Sequence, residues 1–364
     1  MGLLFAACIA PTAFADTPAS SWPDPITAPA ETLPLTAQSL LLDMARSGEH
    51  YVAVGARGAV LLSDDGKTWR QAAVPTRMTF TAVAARDAQV WAVGHEGVIA
   101  HSGDGGEHWE MQRSDAWKPA TGSGMRDPQQ GGPLLGVLFT DIKHGYAVGA
   151  YSVALKTEDG GATWSTMTVA KPAAVADDDA ADKPAKANPK DKQNEHGATF
   201  SKEELTLGQE ATPHLNAIAR TGSGALLIVG ERGSAFRSRD AGATWQRQQL
   251  PYDGSMFGVI GFEADHVLAF GLRGHVYEST DLGEHWKQVP TGTELSLMGG
   301  TALGNGGSAI VGANGVVLVR ASGDAALTSY VDQPAGIISS VLPFGDSGAL
   351  LLAGENGVSV FQPK

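Results

Sequence analysis

The chain has 364 residues, of which 46 are glycine and eight are tryptophan, and 43% are hydrophobic. This composition is typical of many short strands joined by tight turns around a sizeable core. The net charge of −13 at pH 7 argues against a nucleic-acid partner, because neutralising phosphates requires clustered lysine and arginine.

The N-terminal segment predicts export. The first fifteen residues carry no charge and end in Ala13-Phe14-Ala15, an A-x-A cleavage signature, and the run is too short to span a membrane. We therefore expect a signal peptide, residues 1–15, cleaved after Ala15, and a periplasmic or secreted protein. The alternative is lipidation at Cys8, the single cysteine, although Phe5 stands where a small aliphatic residue is wanted. Cleavage after Ala15 would leave a mature chain without disulfides.

A repeat of roughly 40 residues dominates the rest of the chain and overrides the two-domain prior set by length alone. Seven strand-like apolar runs end in glycine, are followed by a short turn that usually contains a second glycine, and continue into another strand. The runs are YVAVG, VWAVG, GYAVG, LLIVG, VLAFG, SAIVG and LLLAG, ending at Gly55, Gly94, Gly149, Gly230, Gly271, Gly312 and Gly354. Glycine supplies the positive φ that such hairpin turns need.

Five repeats contain a second turn with the pattern D-x-G-x-[TH]-W. The first and last residues of these turns are Asp64 and Trp69, Asp104 and Trp109, Asp159 and Trp164, Asp240 and Trp245, and Asp281 and Trp286. The aspartate can accept backbone N–H bonds across the loop while glycine takes a left-handed conformation. The tryptophan then anchors the next strand in the core. We interpret these aspartates and tryptophans as structural.

This turn is the Asp box, also called the bacterial neuraminidase repeat. Together with the VGxxG turns, it makes nearly all of residues 38–362 similar to the photosystem II stability/assembly factor family. The resemblance implies an all-β, seven-bladed β-propeller of four-stranded antiparallel blades. It also implies a non-catalytic protein that binds a protein partner, such as an integral membrane protein or a transporter complex. No cofactor and no stable oligomer are expected.

The propeller is assigned to residues 36–364, and its last repeat lacks a fourth strand. The preceding N-terminal segment, residues 16–35, is predicted to supply that strand through Pro25–Leu35 and so to close the ring. Two insertions, 114–133 and 168–213, fall in the connections before and after the third blade. The second is predicted to be largely disordered, because its Lys, Pro, Ala and Asp residues cannot bury enough apolar surface.

In a propeller these connections share a face with the turns between the second and third strands, where we place the partner-binding site. Arginines occupy matching turn positions in three blades, and the resemblance implies that such arginines contact membrane-protein partners. The candidate residues are Arg57, His95, Glu96, Tyr151, Glu231, Arg232, Arg273, Asn314 and Asn356. The alternative for the arginines is a solvated or glutamate-paired side chain of little energetic weight.

Two other classes of function stay open. A carbohydrate- or small-ligand-binding propeller would be favoured by a narrow mouth lined with aromatic residues. A sialidase-like glycoside hydrolase is less favoured, because no F/Y-R-I-P motif precedes the repeats and only Tyr151 is a candidate nucleophile. No metal site is predicted, since His108 and His285 take the place of the Asp-box threonine and the other histidines are scattered.

Overall fold

The computed structural model describes residues 23–116, 129–169, 212–332, 336–345 and 347–364. The predicted signal peptide with Cys8, and most of the 114–133 and 168–213 insertions, lie outside these ranges. The described residues form seven antiparallel sheets and no α-helix. The first strand of each sheet contacts the first strand of the next, and the seventh contacts the first. The seven-bladed β-propeller predicted from the repeats is therefore confirmed.

Blades 1 to 4 each have four strands, which run outward in chain order from the centre of the ring. Their bounds are β1 Leu41–Ser47, β2 His50–Gly55, β3 Val60–Ser63 and β4 Arg70–Gln71 in blade 1; β5 Phe80–Arg86, β6 Gln89–Gly94, β7 Ile99–Ser102 and β8 Glu110–Arg113 in blade 2; β9 Leu134–Phe139, β10 Gly145–Gly149, β11 Ala154–Thr157 and β12 Ser165–Thr166 in blade 3; and β13 Leu215–Arg220, β14 Leu226–Gly230, β15 Ser234–Ser238 and β16 Gln246–Gln249 in blade 4.

Blades 5 and 6 repeat this order, whereas blade 7 has three strands among the described residues. The bounds are β17 Met256–Gly261, β18 Val267–Gly271, β19 Val276–Ser279 and β20 Lys287–Val289 in blade 5; β21 Leu297–Ala302, β22 Ser308–Gly312, β23 Val316–Arg320 and β24 Thr328–Val331 in blade 6; and β25 Ile338–Phe344, β26 Ala349–Gly354 and β27 Gly357–Phe361 in blade 7.

Short 3-10 turns complete the regular structure. Their bounds are Thr36–Gln38, Ala56–Gly58, His95–Gly97, Ala150–Ser152, Glu231–Gly233, Leu272–Gly274, Gly304–Gly306 and Ala313–Gly315.

The core lies between blades. The second strand of each blade is buried on both sides, as in β14 and β22, because neighbouring blades pack face to face. These strands are therefore continuously apolar rather than alternating. The outermost strands are polar and mostly exposed, as in β16 with its sequence QRQQ.

Every innermost strand carries one extra residue relative to the strand it pairs with. The bulged residues are Leu42, Thr81, Leu135, Asn216, Phe257, Met298 and Ser339. All seven line the central channel, a cavity of about 200 Å³. A β-bulge bends its strand and re-aims a side chain, so the bulges present this ring of residues to the channel.

Pro25–Leu35 does not supply the fourth strand of blade 7, contrary to the sequence-based expectation. This segment contains no strand and lies against blade 1, where Ala30 N donates to Val74 O at 2.9 Å and Leu33 N donates to Gln71 Oε1 at 3.1 Å. The physical reason is its prolines, which lack the N–H donors that a paired strand needs. They are Pro25, Pro29 and Pro34.

Contacts near the channel close the ring instead. Ser339 Oγ donates to Leu41 O at 2.7 Å, and Met44 N donates to Ser340 Oγ at 3.1 Å. An apolar cluster that includes Leu41, Met44 and Leu351 fills the boundary between blades 7 and 1. Side-chain packing and hydrogen bonds, rather than a shared strand, thus join the two ends of the propeller.

Candidate functional site

The candidate site is the face of the ring that carries the turns between the second and third strands, called the b–c face below. Six of these turns place a non-glycine residue in the left-handed region. These residues and their φ angles are Arg57 at 58°, Glu96 at 53°, Tyr151 at 53°, Arg232 at 54°, Arg273 at 56° and Asn314 at 51°. In blade 7 the positive φ falls on Gly357, at 85°, and not on Asn356.

Arginine is an unfavourable residue for these positions. A left-handed conformation costs an L-residue roughly 1–2 kcal/mol, and asparagine is one of the few non-glycine residues that adopt it routinely. Two-residue turns of this kind accordingly favour Asn-Gly, as at Asn314-Gly315 in blade 6. The presence of Arg57, Arg232 and Arg273 is therefore not explained by the turn, which points to a role for their side chains.

The three turn arginines are exposed. Arg57, Arg232 and Arg273 make no ion pair with any residue that the structure describes. Several other arginines of the propeller do form ion pairs with described residues. They are Arg46, Arg70, Arg77, Arg113, Arg237, Arg239 and Arg320. The glutamate-paired alternative thus fails for the turn arginines within the described ranges.

Glu231 precedes Arg232 but is directed toward His214. Its Oε2 accepts from His214 N at 3.1 Å, and its Oε1 lies 3.7 Å from His214 Nδ1. The His214 ring packs edge-to-face on Tyr151, with ring centroids 4.9 Å apart. Tyr151 is 41% exposed despite this contact. The turns of blades 3 and 4 are joined through these three side chains.

The described ends of both insertions contact the b–c face on either side of blade 3. Asp115 N donates to Glu96 O at 2.8 Å at the start of the first insertion, and Gln129 Nε2 donates to Tyr151 O at 2.9 Å near its end. At the end of the second insertion, Ser152 N donates to Pro213 O at 2.9 Å. The described ends of the two insertions therefore lie beside the b–c turns of blades 2 and 3.

The ring spreads the candidate residues over its whole circumference. Arg232 and Arg273 lie in adjacent blades, 4 and 5, whereas Arg57 in blade 1 is three blades away from either. His95, Asn314 and Asn356 are exposed on turns of blades 2, 6 and 7. The arginines therefore form no single basic patch, and only a ligand wide enough to cross the mouth of the channel could contact all three.

The Asp boxes lie at the turns between the third and fourth strands, on the opposite face. In blade 3, Thr163 donates to Asp159 through its backbone N–H at 2.9 Å and through its hydroxyl at 2.6 Å. These bonds lower the pKa of Asp159 to about 2. In blade 5, His285 Nδ1 lies 2.7 Å from Asp281 Oδ2 and takes the place of the threonine hydroxyl. Bonding to the charged form explains the low pKa values.

The Asp box of blade 1 differs from the sequence-based assignment. Asp65, rather than Asp64, accepts the backbone N–H groups of Lys67 at 2.8 Å and Thr68 at 2.7 Å. These bonds lower the pKa of Asp65 to about 2, and the bond from Thr68 N–H has the largest effect. Asp64 instead pairs with His50 Nδ1 at 2.7 Å. Between the serine and the tryptophan, this turn is one residue shorter than in the other blades. Ser63 stands two residues before Asp65 and donates to its carboxylate, as the serine or threonine does in the other Asp boxes.

The Asp-box tryptophans are half-buried at the start of the fourth strands. The indole N–H groups of Trp69, Trp109 and Trp245 donate to the carbonyls of Gly66, Gly106 and Gly242. Those of Trp164 and Trp286 are buried without a partner among the described residues. The anchoring role holds in all five blades, whereas the bond to the turn glycine forms in three.

One group of possible metal ligands occurs in the described part of the chain, at Asp281, Glu284 and His285. Asp281 and His285 already bond to each other within the Asp box, and Glu284 pairs with Arg237 Nη1 at 2.7 Å. The Asp-box turn accounts for Asp281 and His285, and the ion pair with Arg237 of blade 4 accounts for Glu284.

A seven-bladed propeller with Asp boxes and glycine-bounded b–c turns defines the class of the chain. Residues 23–128 match the family model of photosynthesis system II assembly factor YCF48, which confirms the resemblance inferred from the repeats. No protein of curated function matches the sequence significantly.

Solved structures show the same fold at low sequence identity. YCF48 bound to a D1 peptide is 16% identical with a TM-score of 0.61, over 92% of this chain and 96% of that one. YCF48 from Cyanidioschyzon merolae is 17% identical with a TM-score of 0.60, over 92% and 99%. A streptogramin B lyase is 14% identical with a TM-score of 0.62, over 91% and 95%. Because enzymes share this fold, the fold alone does not exclude catalysis.

The described residues contain no helix that is long and apolar enough to cross a membrane.

Proposed function

We propose that this chain is a non-catalytic, exported binding propeller that docks through its b–c face on a membrane protein or transporter complex and assists its assembly or stability. The observation that carries the proposal is the set of three exposed arginines, held in left-handed turns, that make no ion pair with any described residue. The match of residues 23–128 to the YCF48 family, and the D1 peptide bound to a YCF48 of the same fold, support a protein partner.

The chemistry of the b–c face favours a protein over a small molecule. A guanidinium recognises a carboxylate or backbone carbonyls through two parallel N–H bonds. Because Arg57 lies three blades from Arg232 and Arg273, one ligand must cross the channel mouth to use all three. The channel itself, at about 200 Å³, is small and is lined by one side chain from each bulge.

Export is part of the proposal and rests on the N-terminal sequence. The uncharged apolar run that ends in Ala13-Phe14-Ala15 would direct the chain to the periplasm or outside the cell. N-terminal sequencing of the protein recovered from the periplasmic fraction tests this point. Asp16 as the first residue supports cleavage after Ala15, a lipidated Cys8 supports the alternative, and an intact cytoplasmic chain contradicts export.

The docking face is tested by capture from detergent-solubilised membranes of the native organism. The variant Arg57→Asn/Arg232→Asn/Arg273→Asn removes the guanidinium groups and introduces the residue that blade 6 uses at the same position. A matched control, Arg46→Asn/Arg70→Asn/Arg239→Asn, removes three exposed arginines whose partners are Glu49, Glu107 and Asp265.

We expect wild type and control to retain the same membrane protein and the b–c variant to lose it. Equal retention by all three proteins would place the binding surface elsewhere. Turnover of a sialoside or another glycan by the purified chain would contradict the non-catalytic part of the proposal.

A further inference from the structure

Blade 7 has an open edge. Its outermost strand, β27, pairs with β26 only, whereas the third strand of every other blade is covered by a fourth strand. No strand within the described ranges lies on the outer side of β27. An uncovered edge strand presents unpaired backbone N–H and C=O groups and is a template for another strand.

Described residues cover the two ends of this edge and leave its middle uncovered. Gly357 packs against the backbone of Ala37 and Gln38, which leaves no room for a side chain there. At the other end, Phe361 meets the ring of Tyr330 from blade 6, with centroids 5.9 Å apart. Between them Ser359 is exposed and Val360 is 48% exposed. Val360, Leu352 and Ile338 contribute to a cleft of about 500 Å³ beside this edge.

Apart from the contact of Ala37 and Gln38 with Gly357, the described segments nearest to the edge are held on blades 1 and 6. The chain before β1 is held on blade 1, where Arg77 N donates to Pro25 O at 2.8 Å and Gln71 Nε2 donates to Glu31 O at 2.9 Å. The C-terminal residue is held by blade 6, because Tyr330 Oη donates to Lys364 O at 3.2 Å. Neither segment supplies the fourth strand.

We propose that the open edge of β27 binds an extended segment of the protein partner, which adds to blade 7 as an antiparallel fourth strand. Strand addition is a general mode of peptide recognition, in which backbone hydrogen bonds give affinity and a side-chain pocket gives selectivity. The edge begins at the Asn356-Gly357 turn, on the b–c face, in the blade next to the one that carries Arg57. The identity of the partner rests on the proposed function, whereas the ability of β27 to pair with an added strand does not.

The other six blades define the chemistry of the occupant. Their fourth strands are two to four residues long and mostly polar, as in QRQQ of β16, KQV of β20 and TSYV of β24. The occupant is accordingly a short extended segment without proline in the paired residues. One aliphatic side chain would fill the cleft beside Leu352 and Val360.

A peptide copied from blade 6 provides the probe. Labelled ALTSYVD, residues 326–332, contains the fourth strand of that blade, and a second peptide with proline at the positions of Ser329 and Val331 cannot pair. We expect a saturable rise in fluorescence anisotropy with the first peptide and at least tenfold weaker binding of the second. Absence of binding, or equal binding of both peptides, would overturn the proposal.

A second experiment covers the edge of β27 with a fourth strand added to the chain itself. By their pairing with the second strand, Phe361 in blade 7 corresponds to Arg320 in blade 6, so residues 362–364 stand where 321–323 stand. Appending DAALTSYVD, residues 324–332, after Lys364 therefore continues blade 7 at the spacing of blade 6. The extended chain should lose peptide binding and melt at a higher temperature. An extension with the two prolines should do neither.

Two further outcomes would assign the edge to another occupant and contradict the proposal. Peptide binding that appears only after deletion of residues 16–22 would show that the chain's own N-terminal segment occupies the edge. A dimer in sedimentation that becomes a monomer on extension would show that a second copy does. The b–c arginine variant should bind the peptide normally, so that failure of the edge and failure of the docking face are distinguishable.

Discussion

Ser340 Oγ donates a hydrogen bond of 2.9 Å to Asp43 Oδ1 across 297 residues of chain. The second oxygen of the same carboxylate accepts from Val83 N at 2.9 Å. Asp43 thus links blade 1 to blade 7 on one side and to blade 2 on the other. Burial is the main influence on this group and raises the pKa of Asp43 to about 6, although the hydrogen bonds from Val83 N, Ser340 Oγ and Met44 N act in the opposite direction.

Asp43 makes stability depend on pH with a defined sign. Its pKa is about 6 in the folded chain and near the ordinary 3.8 in the unfolded chain, so the folded state binds this proton more tightly. The contribution of Asp43 to the free energy of unfolding therefore falls as pH rises from about 4 to about 7. We expect a fall on the order of 1–2 kcal/mol, less than the full pKa shift would give, because the side chain is only partly hidden from solvent.

Urea unfolding of wild type and Asp43→Asn between pH 4.5 and 7.5 measures this contribution. The Asp-box carboxylates have lowered pKa values and act with the opposite sign at lower pH, but they are common to both proteins. The difference in unfolding free energy between the two proteins should shrink as pH rises. A difference that does not change with pH would contradict the raised pKa.

The Asp box of blade 1 allows a matched pair of substitutions in adjacent residues. Asp65→Ala removes the acceptor of the Lys67 and Thr68 backbone N–H groups, whereas Asp64→Ala removes only an exposed pair with His50. We expect Asp65→Ala to melt a few degrees lower than wild type and Asp64→Ala to melt at the wild-type temperature. Thermal unfolding followed by circular dichroism tests the order, and a larger effect of Asp64→Ala would restore the sequence-based assignment.

The left-handed turns predict that loss of the arginines stabilises the chain. Arg57→Asn, Arg232→Asn and Arg273→Asn each relieve an unfavourable backbone conformation without breaking a described ion pair. Each should raise the free energy of unfolding by about 0.5–1 kcal/mol. The reverse change, Asn314→Arg, should lower it by a similar amount in urea titrations. Destabilisation by the arginine variants would mean that the guanidinium groups serve the fold.

A nearly buried ion pair joins blades 5 and 6. Arg320 Nη1 lies 2.6 Å from Glu278 Oε1, the Arg320 side chain is 4% exposed, and Glu278 also meets His266 Nε2 at 2.8 Å. Arg320→Met should destabilise the chain by about 2–3 kcal/mol, because a partly buried carboxylate loses its main partner. The double variant Arg320→Met/Glu278→Leu should recover much of this loss in denaturant unfolding. No recovery would indicate that packing of the arginine stem dominates.

The sequence predicted the features that depend on repeated residue types. Glycine recurs at the end of the second strand in all seven blades and the Asp-box pattern recurs in five, because these blades use the same turns, and the glycines located seven blades. The bulges left no such signal, since residues as different as Leu42, Thr81 and Phe257 occupy them. A bulge depends on how two strands pair rather than on the identity of the extra residue.

Two other differences arise from competing local rules. Counting strands predicted that Pro25–Leu35 closes the ring, but the prolines of that segment prevent pairing. Aligning the boxes on tryptophan selected Asp64, whereas the hydroxyl of Ser63 identifies Asp65. On the b–c face the repeats placed the arginines in turns, but their left-handed conformation and the absence of an ion partner among the described residues depend on the folded backbone and its neighbours.

In the described part of the chain, no strand-to-strand connection runs across the boundary between blades 7 and 1. At the other six, a connection runs from the outermost strand of one blade to the innermost strand of the next. Closure at this joint is therefore an association between two ends of one molecule, driven by the high effective concentration that the rest of the ring imposes. Within the described residues, a tension that separates blades 7 and 1 is therefore resisted by side-chain packing and hydrogen bonds rather than by the backbone.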